Sequence, residues 1–288
     1  MTSIGGPIAV ADIADPRLDD YRSLRDRDLS GARRSEGVFI GETIPILIAM
    51  LAQPGLTRSV LSSQRMAGRV EGAIAGACAG ASDTAPPPHF VVNDTLLEQT
   101  AGFDVHRGVL AVGMRTPLDN RRADAPPFTT GRLLLALDSL NNIDNIGAIF
   151  RSAAAFGVDG VLLSRATHDP LYRKVVRVSM GNVLTTPYAW CDDLAATLLR
   201  LRELRPDLRV LAADCAGDAR DIAEFDVRVS IAPAPHIVII GNEFEGISPS
   251  VLDAATHRVR IPIAAGVDSL NAAVAASIIL HRLSSPRG

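Results

Sequence analysis

Residues 132–164, RLLLALDSLNNIDNIGAIFRSAAAFGVDGVLLS, decide the fold class. An apolar run, RLLLALD, is too short for a buried helix and reads as a strand. The polar turn SLNN follows, and then IGAIFRSAAAFG, with apolar residues at helical spacing and Gly157 as its stop. VLLS is a second strand. Strand, helix of 10 to 15 residues and strand again is the unit of a parallel sheet.

The alternation continues to the C-terminus. PLYRKVVRVSM reads as a helix, TPYAW as a short strand, DDLAATLLRLREL as a helix, LRVLAAD and HIVIIG as strands, RVRIPI as a last strand and SLNAAVAASIILHRL as a final helix. The expectation is an α/β, mostly parallel sheet with helices on both faces over residues 132–288, with ligands beyond the carboxyl ends of its strands. Toward the N-terminus, TPLDNRRADAPPFTTG (116–131) is proline-rich and reads as an interdomain linker. Residues 30–115 read as a small α/β domain: strands EGVFIGE, RSVLSS, FVV and GVLAVG around helices IPILIAMLAQ, AGRVEGAIAGACAGA and DTLLEQTA, with ASDTAPPPHF (81–90) as a long internal loop. Residues 1–29 are densely charged, and the stretch with Arg17, Arg22, Arg25, Arg27, Arg33 and Arg34 among acids reads as a solvated surface helix held by intrahelical pairs.

Composition narrows the function classes. The chain has 288 residues, 47% of them hydrophobic and 21% charged, which is ordinary globular usage. No apolar run approaches a membrane span, and the first residues lack the basic flank of a secretory signal, so a cytoplasmic address is expected. Net charge is −3, so nucleic-acid affinity must come from local patches. Cys78, Cys191 and Cys215 lie far apart, with no C-x-x-C pair, and read as buried, inert thiols. The six histidines are equally scattered, and no metal site is expected.

Three islands follow strands, where chemistry belongs in such a sheet. In NNIDNIGAIFRSAAAFG (141–157), Asn142 and Asn145 precede or open a helix that carries Arg151; each asparagine suits a helix cap, and a guanidinium near turn amides suits an anion. In HIVIIGNEFEGIS (236–248), Gly241 and Gly246 frame a tight loop, but Ile247 and Ser248 stand where a P-loop needs lysine and a hydroxyl. No G-x-G-x-x-G follows the first strand either, which disfavours a nicotinamide dehydrogenase. In RVRIPIAAGVDSLNAAVAASIIL (258–280), Asp268, Ser269 and Asn271 are candidate caps before a slim, alanine-rich helix face. Between the islands, Arg165, Arg173, Lys174 and Arg177 stand against Asp169 as the clearest basic patch, one that suits a phosphate backbone.

The order and wording of the islands, NIDNIGAIFR, GNEFEGIS and IPIAAGVDSLNAAVA, resemble the SpoU (TrmH) group of SPOUT RNA methyltransferases. The specific resemblance covers residues 132–284 and is looser over 30–115. It departs in one place, where Asn142-Ile143 replaces a frequent Asp-Pro. The resemblance implies a trefoil-knotted C-terminal domain that binds S-adenosylmethionine through Gly241, Asn242, Glu243, Gly246, Ile261, Pro262, Ile263, Ser269, Leu270 and Asn271. It implies a homodimer through that domain, with an arginine of one subunit beside the other's cofactor. The implied reaction centre is Asn145, Arg151, Glu243, Ser269 and Asn271, transferring a methyl group to a ribose 2′-hydroxyl, in ribosomal RNA ahead of transfer RNA. A non-catalytic RNA-binding protein on the same fold is the alternative.

Overall fold

The computed structural model describes residues 6–24, 32–79, 85–214, 219–225 and 234–284. Arg25, Arg27, Cys215 and the side chain of Arg33 lie outside the described residues. The chain divides into two compact units, one of Met1–Pro117 with Leu171–Leu184, the other of Leu118–Pro170 with Thr185–Gly288.

The first unit is a five-stranded mixed sheet in the order β1 (Ile8–Ala9), β4 (His89–Val92), β3 (Thr57–Ser63), β5 (Val109–Met114), β2 (Val38–Glu42). β1, β4 and β3 run parallel, whereas β5 pairs antiparallel with both β3 and β2, with Ile40 opposite Val112. Helices α1 (Ile44–Leu51), α2 (Ala67–Cys78) and α3 (Asp94–Ala101) accompany it. The charged N-terminal stretch departs from a solvated helix. Its described part holds one 3-10 turn, Pro16–Tyr21, which buries Leu18 and Tyr21 beside Leu24 in the core of this unit. Tyr21 Oη lies 2.6 Å from Ser59 Oγ. The local ion pairs are present, Arg17 with Asp15 and Arg22 with Asp19, but apolar residues between the charges seat the segment on the sheet.

The second unit is a seven-stranded sheet in which every pair is parallel, in the order β10 (Arg220–Asp221), β12 (His257–Arg260), β9 (Arg209–Ala213), β11 (His236–Ile240), β6 (Leu133–Leu137), β7 (Gly160–Ser164), β8 (Tyr188–Cys191). β6, β7 and β11 are buried along their whole length, which is why they read as unbroken apolar runs. Four helices matter here: α4 (Ile143–Ala155), α6 (Leu194–Leu204), α7 (Pro249–Asp253) and α8 (Ala272–Leu283). The last strand stops at Arg260, so Ile261–Ile263 is a loop with no ladder partner. The stretch that reads as a linker folds with this unit from Leu118 onward, because Phe128 is buried in its core.

Between β7 and β8 the expected helix is cut short. α5 (Arg173–Val178) ends where Met180 and Gly181 take positive φ, and this excursion packs with the first unit. Gly181 lies against Ile46 and Ala49, and Gln53 Nε2 donates to the carbonyl of Leu184 at 2.8 Å. Cys191 is buried and its thiol is pushed up to about 11 by burial, whereas Cys78 is half-buried. Among the described residues no helix is long and apolar enough to cross a membrane.

Candidate active site

The site lies beyond the carboxyl ends of β6 and β11. After β6, Asp138 and Ser139 turn the chain, and Asn142 caps α4 by accepting from the backbone N–H groups of Asp144 (3.0 Å) and Asn145 (3.2 Å). Helix α4 buries Ile146, Ile149, Phe150 and Ala153, and that apolar face pins Asn145 in its first turn, 5% exposed.

After β11 the chain closes a loop on itself. Asn242 and Gly246 exchange two backbone hydrogen bonds, 2.9 and 3.0 Å, while Asn242 Oδ1 accepts from the N–H groups of Phe244 (2.9 Å) and Glu245 (3.2 Å). Asn242 Nδ2 donates to the carbonyl of Ser139 at 2.8 Å, and Asp138 Oδ2 accepts from the N–H of Ser248 at 2.8 Å, so both ends of the loop are tied to the turn after β6. The two framing glycines differ: Gly241 is required for space, and Gly246 is favoured by its backbone conformation. A Cβ on Gly241 would stand 2.4 Å from the backbone carbon of Gly246, and Gly246 itself has φ +72°.

The third island supplies Asn271, which caps α8 through the N–H groups of Ala273 (2.9 Å) and Val274 (3.3 Å). Its Nδ2 donates to Asn145 Oδ1 at 2.8 Å, and Asn145 Nδ2 donates to Glu243 Oε1 at 2.7 Å. One side chain from each island thus joins a single polar chain. It borders a cleft of about 680 Å³ lined also by Gly241, Asn242, Gly246, Ile261, Ile263, Ser269 and Leu270. Charged groups on the lining are Asp214, Glu243, Glu245 and Asp268 against Arg260 alone, so the cleft favours cations.

The other expected residues are placed differently. Arg151 is exposed on α4, six residues and about 9 Å along the axis from Asn145, and is not on the lining of this cleft. Pro262 is exposed and likewise not on the lining. Arg165, in the second unit, pairs with Asp192 at 2.6 Å and lies 5.9 Å over the Trp190 ring.

Arg173, Lys174 and Arg177 belong to the first unit, where Arg173 and Arg177, but not Lys174, line a second cleft of about 650 Å³. Arg173 donates to Glu42 Oε1 at 2.5 Å and covers the Phe103 ring at 4.4 Å, and Arg177 reaches Glu42 Oε2 at 3.4 Å. The local charge of +3 counted along the chain is therefore reduced by Glu42, which lies 131 residues from Arg173. Sequence reading missed Glu42 because nothing local points to it. It also missed Asp138 and Ser139, although their position directly after the first strand is a usable signal, and it missed Phe244, which is 97% exposed at the loop tip.

The SpoU rRNA Methylase family profile matches residues 132–281. An uncharacterized tRNA/rRNA methyltransferase of Mycobacterium bovis is 32% identical over 276 residues, 94% of this chain and 90% of that one. Among solved structures, an rRNA methyltransferase from Sinorhizobium meliloti is 23% identical over 97% of this chain and 98% of its own, with a TM-score of 0.75. The SpoU methyltransferase AviRb from Streptomyces viridochromogenes, in complex with AdoMet, is also 23% identical, over 93% and 97%, with a TM-score of 0.73. The fold is the same α/β SPOUT arrangement as in these structures. With more than half of its length matched by the family profile, and with a relative similar over nearly all of it, this chain belongs to the SpoU family of RNA methyltransferases.

Proposed function

We propose that the chain methylates a ribose 2′-hydroxyl in structured RNA, with S-adenosylmethionine as methyl donor and ribosomal RNA as substrate ahead of transfer RNA. The observation that carries this reading is the Asn271–Asn145–Glu243 chain at the border of the cleft, which assembles one polar side chain from each island on a scaffold of caps and buried helix faces.

The cleft fits that donor on chemical grounds. Four carboxylates on its lining suit a sulfonium and an ammonium group, and the close approach of Gly241 to Gly246 lets a ligand come near the loop backbone. Gly241, Asn242, Glu243, Gly246, Ile261, Ile263, Ser269, Leu270 and Asn271 would hold it. When bound, the donor supplies a methyl carbon already activated by the sulfonium.

What remains for the protein is placement and charge. Asn145 fixes one oxygen of Glu243 and is itself fixed by Asn271, so the carboxylate is held before substrate arrives. Arg151 stays charged and is no base. It clamps an RNA phosphate and stabilises the developing alkoxide, while phosphate or water takes the proton. Its distance from the cleft of its own subunit supports a homodimer in which it serves the partner's cleft. The exposed Val274 of α8 favours burial in that contact. On the same reading the C-terminal segment is threaded as a trefoil knot, Arg165, Arg173, Lys174 and Arg177 line the RNA backbone, residues 30–115 grip RNA, and the protein works in the cytoplasm.

The test is transfer of tritiated methyl from S-adenosylmethionine to total RNA of a strain lacking the protein, followed by nuclease and alkaline digestion. An alkali-resistant labelled dinucleotide from ribosomal RNA is the expected product. Donor binding without transfer would point to a rarer or assembly-stage RNA, and absence of both transfer and donor binding would support the non-catalytic alternative.

A further inference from the structure

Phe244 is anomalous. The chain is poor in aromatics, 4% of its residues, and among the described residues the other large exposed apolar side chains reach at most 57% exposure, whereas Phe244 is 97% exposed. A free ring in solvent forgoes the burial that normally stabilises a phenylalanine. The loop beneath it is nonetheless firmly built: the N–H of Phe244 is held by Asn242 Oδ1, and the Asn242–Gly246 pair closes the turn. The ring is therefore presented outward from an ordered backbone, at the edge of the same cleft as its neighbour Glu243.

We infer that Phe244 forms a nucleobase subsite, a platform on which an unpaired RNA base beside the methylated ribose stacks. The charges around it select a base over a phosphate. Glu243 and Glu245 flank Phe244 in the chain and line the same cleft; their carboxylates repel the RNA backbone, while a base offers a π-face to the ring and N–H donors to the acids. Where the base of the methylated nucleotide is unstacked, an aromatic ring at the edge of the cleft offsets part of the stacking it has lost. The inference rests on the proposed function and adds the element that receives the extruded base.

The experiment compares Phe244→Ala and Phe244→Trp with the unaltered protein in methyl transfer to total RNA, donor affinity by calorimetry, and subunit mass by sedimentation. The alanine variant is expected to raise the RNA concentration for half-maximal transfer about 5- to 150-fold, the range for losing one base–aromatic stack. The tryptophan variant should restore it, and its emission should fall on adding RNA beyond the change in a protein that holds only Trp190. Donor affinity and mass should not move. Unchanged RNA dependence in the alanine variant overturns the inference, as does weaker donor binding, which makes the ring a cofactor wall, or a halved mass, which assigns it to the subunit contact. If the unaltered protein transfers no methyl, direct RNA binding decides: equal binding by the alanine variant removes the subsite, and weaker binding keeps it while the catalytic reading fails.

Discussion

Two clefts of nearly equal size, about 680 Å³ in the second unit and about 650 Å³ in the first, treat their polar groups in opposite ways. In the larger, the side chains that join up, Asn271, Asn145 and Glu243, come from three segments and bond to one another at the border, leaving Ser269, Glu245 and loop backbone open. In the smaller, cations that look available along the chain are taken up by the fold, because Glu42 holds Arg173 and Arg177 and Phe103 lies under Arg173. A count of charges along the chain would rank the second cleft as the stronger anion site. Partners brought from far away in sequence reverse that ranking.

The largest test of this contrast is Asn145→Ala, which cuts the polar chain in the middle. Turnover should fall on the order of 100-fold, the scale for losing a preorganised polar contact at a reacting centre, while donor affinity changes little; calorimetry beside a methyl-transfer assay separates the two. Full activity in that variant would reduce the chain to a structural cap.

Acid sharpens the contrast at the level of whole units, since each buries one histidine. Burial lowers His89 in the first unit and His236 in the second to about 4, with Arg209 adding to the effect at His236. Both rings are neutral when folded and take up a proton on unfolding below about 6.5, so unfolding binds protons and stability falls as pH drops from 6.5 toward 4, then levels off. Each ring accounts for a loss on the order of 3 kcal/mol at full shift. Thermal melts of His89→Gln and His236→Gln between pH 4 and 7 should each remove part of that slope.

Gly241→Ala should destabilise the second unit by about 1–3 kcal/mol and weaken donor binding at least about tenfold, because the new methyl meets backbone that has nowhere to go. Gly246→Asn, at a left-handed position with open space, should be mild by comparison. The smallest effect is expected from Glu42→Gln. Freed of their shared carboxylate, Arg173 and Arg177 should steepen the salt dependence of RNA binding by about one to two in log–log slope. An unchanged slope would mean that the first cleft does not meet RNA backbone.

Much of this organisation was readable before any coordinates. The apolar runs at 133–137, 160–164 and 236–240 appear as buried parallel strands because strands covered on both faces need no polar alternation. Asn142 and Asn271 cap helices where cap chemistry predicts them. Less readable were the segments whose fate depends on distant contacts. The N-terminal charged stretch hides Leu18 and Tyr21 in a core, 116–131 carries Phe128 into another, and Leu171–Leu184 folds with the first unit although it lies inside the second in sequence. Local pattern records charge and proline in these places, and burial of two or three apolar side chains outweighs both.

Sequence alone therefore supports the sheet class, the three islands and the family, because strand burial, capping and glycine-dependent turns are local physics written within a few residues. Only the tertiary structure decided which island side chains touch, that Glu42 neutralises arginines 131 and 135 residues away, that Arg151 leaves the lining of its own cleft, and that Phe244 stands bare. Those outcomes depend on through-space partners and exposure, which chain order does not encode.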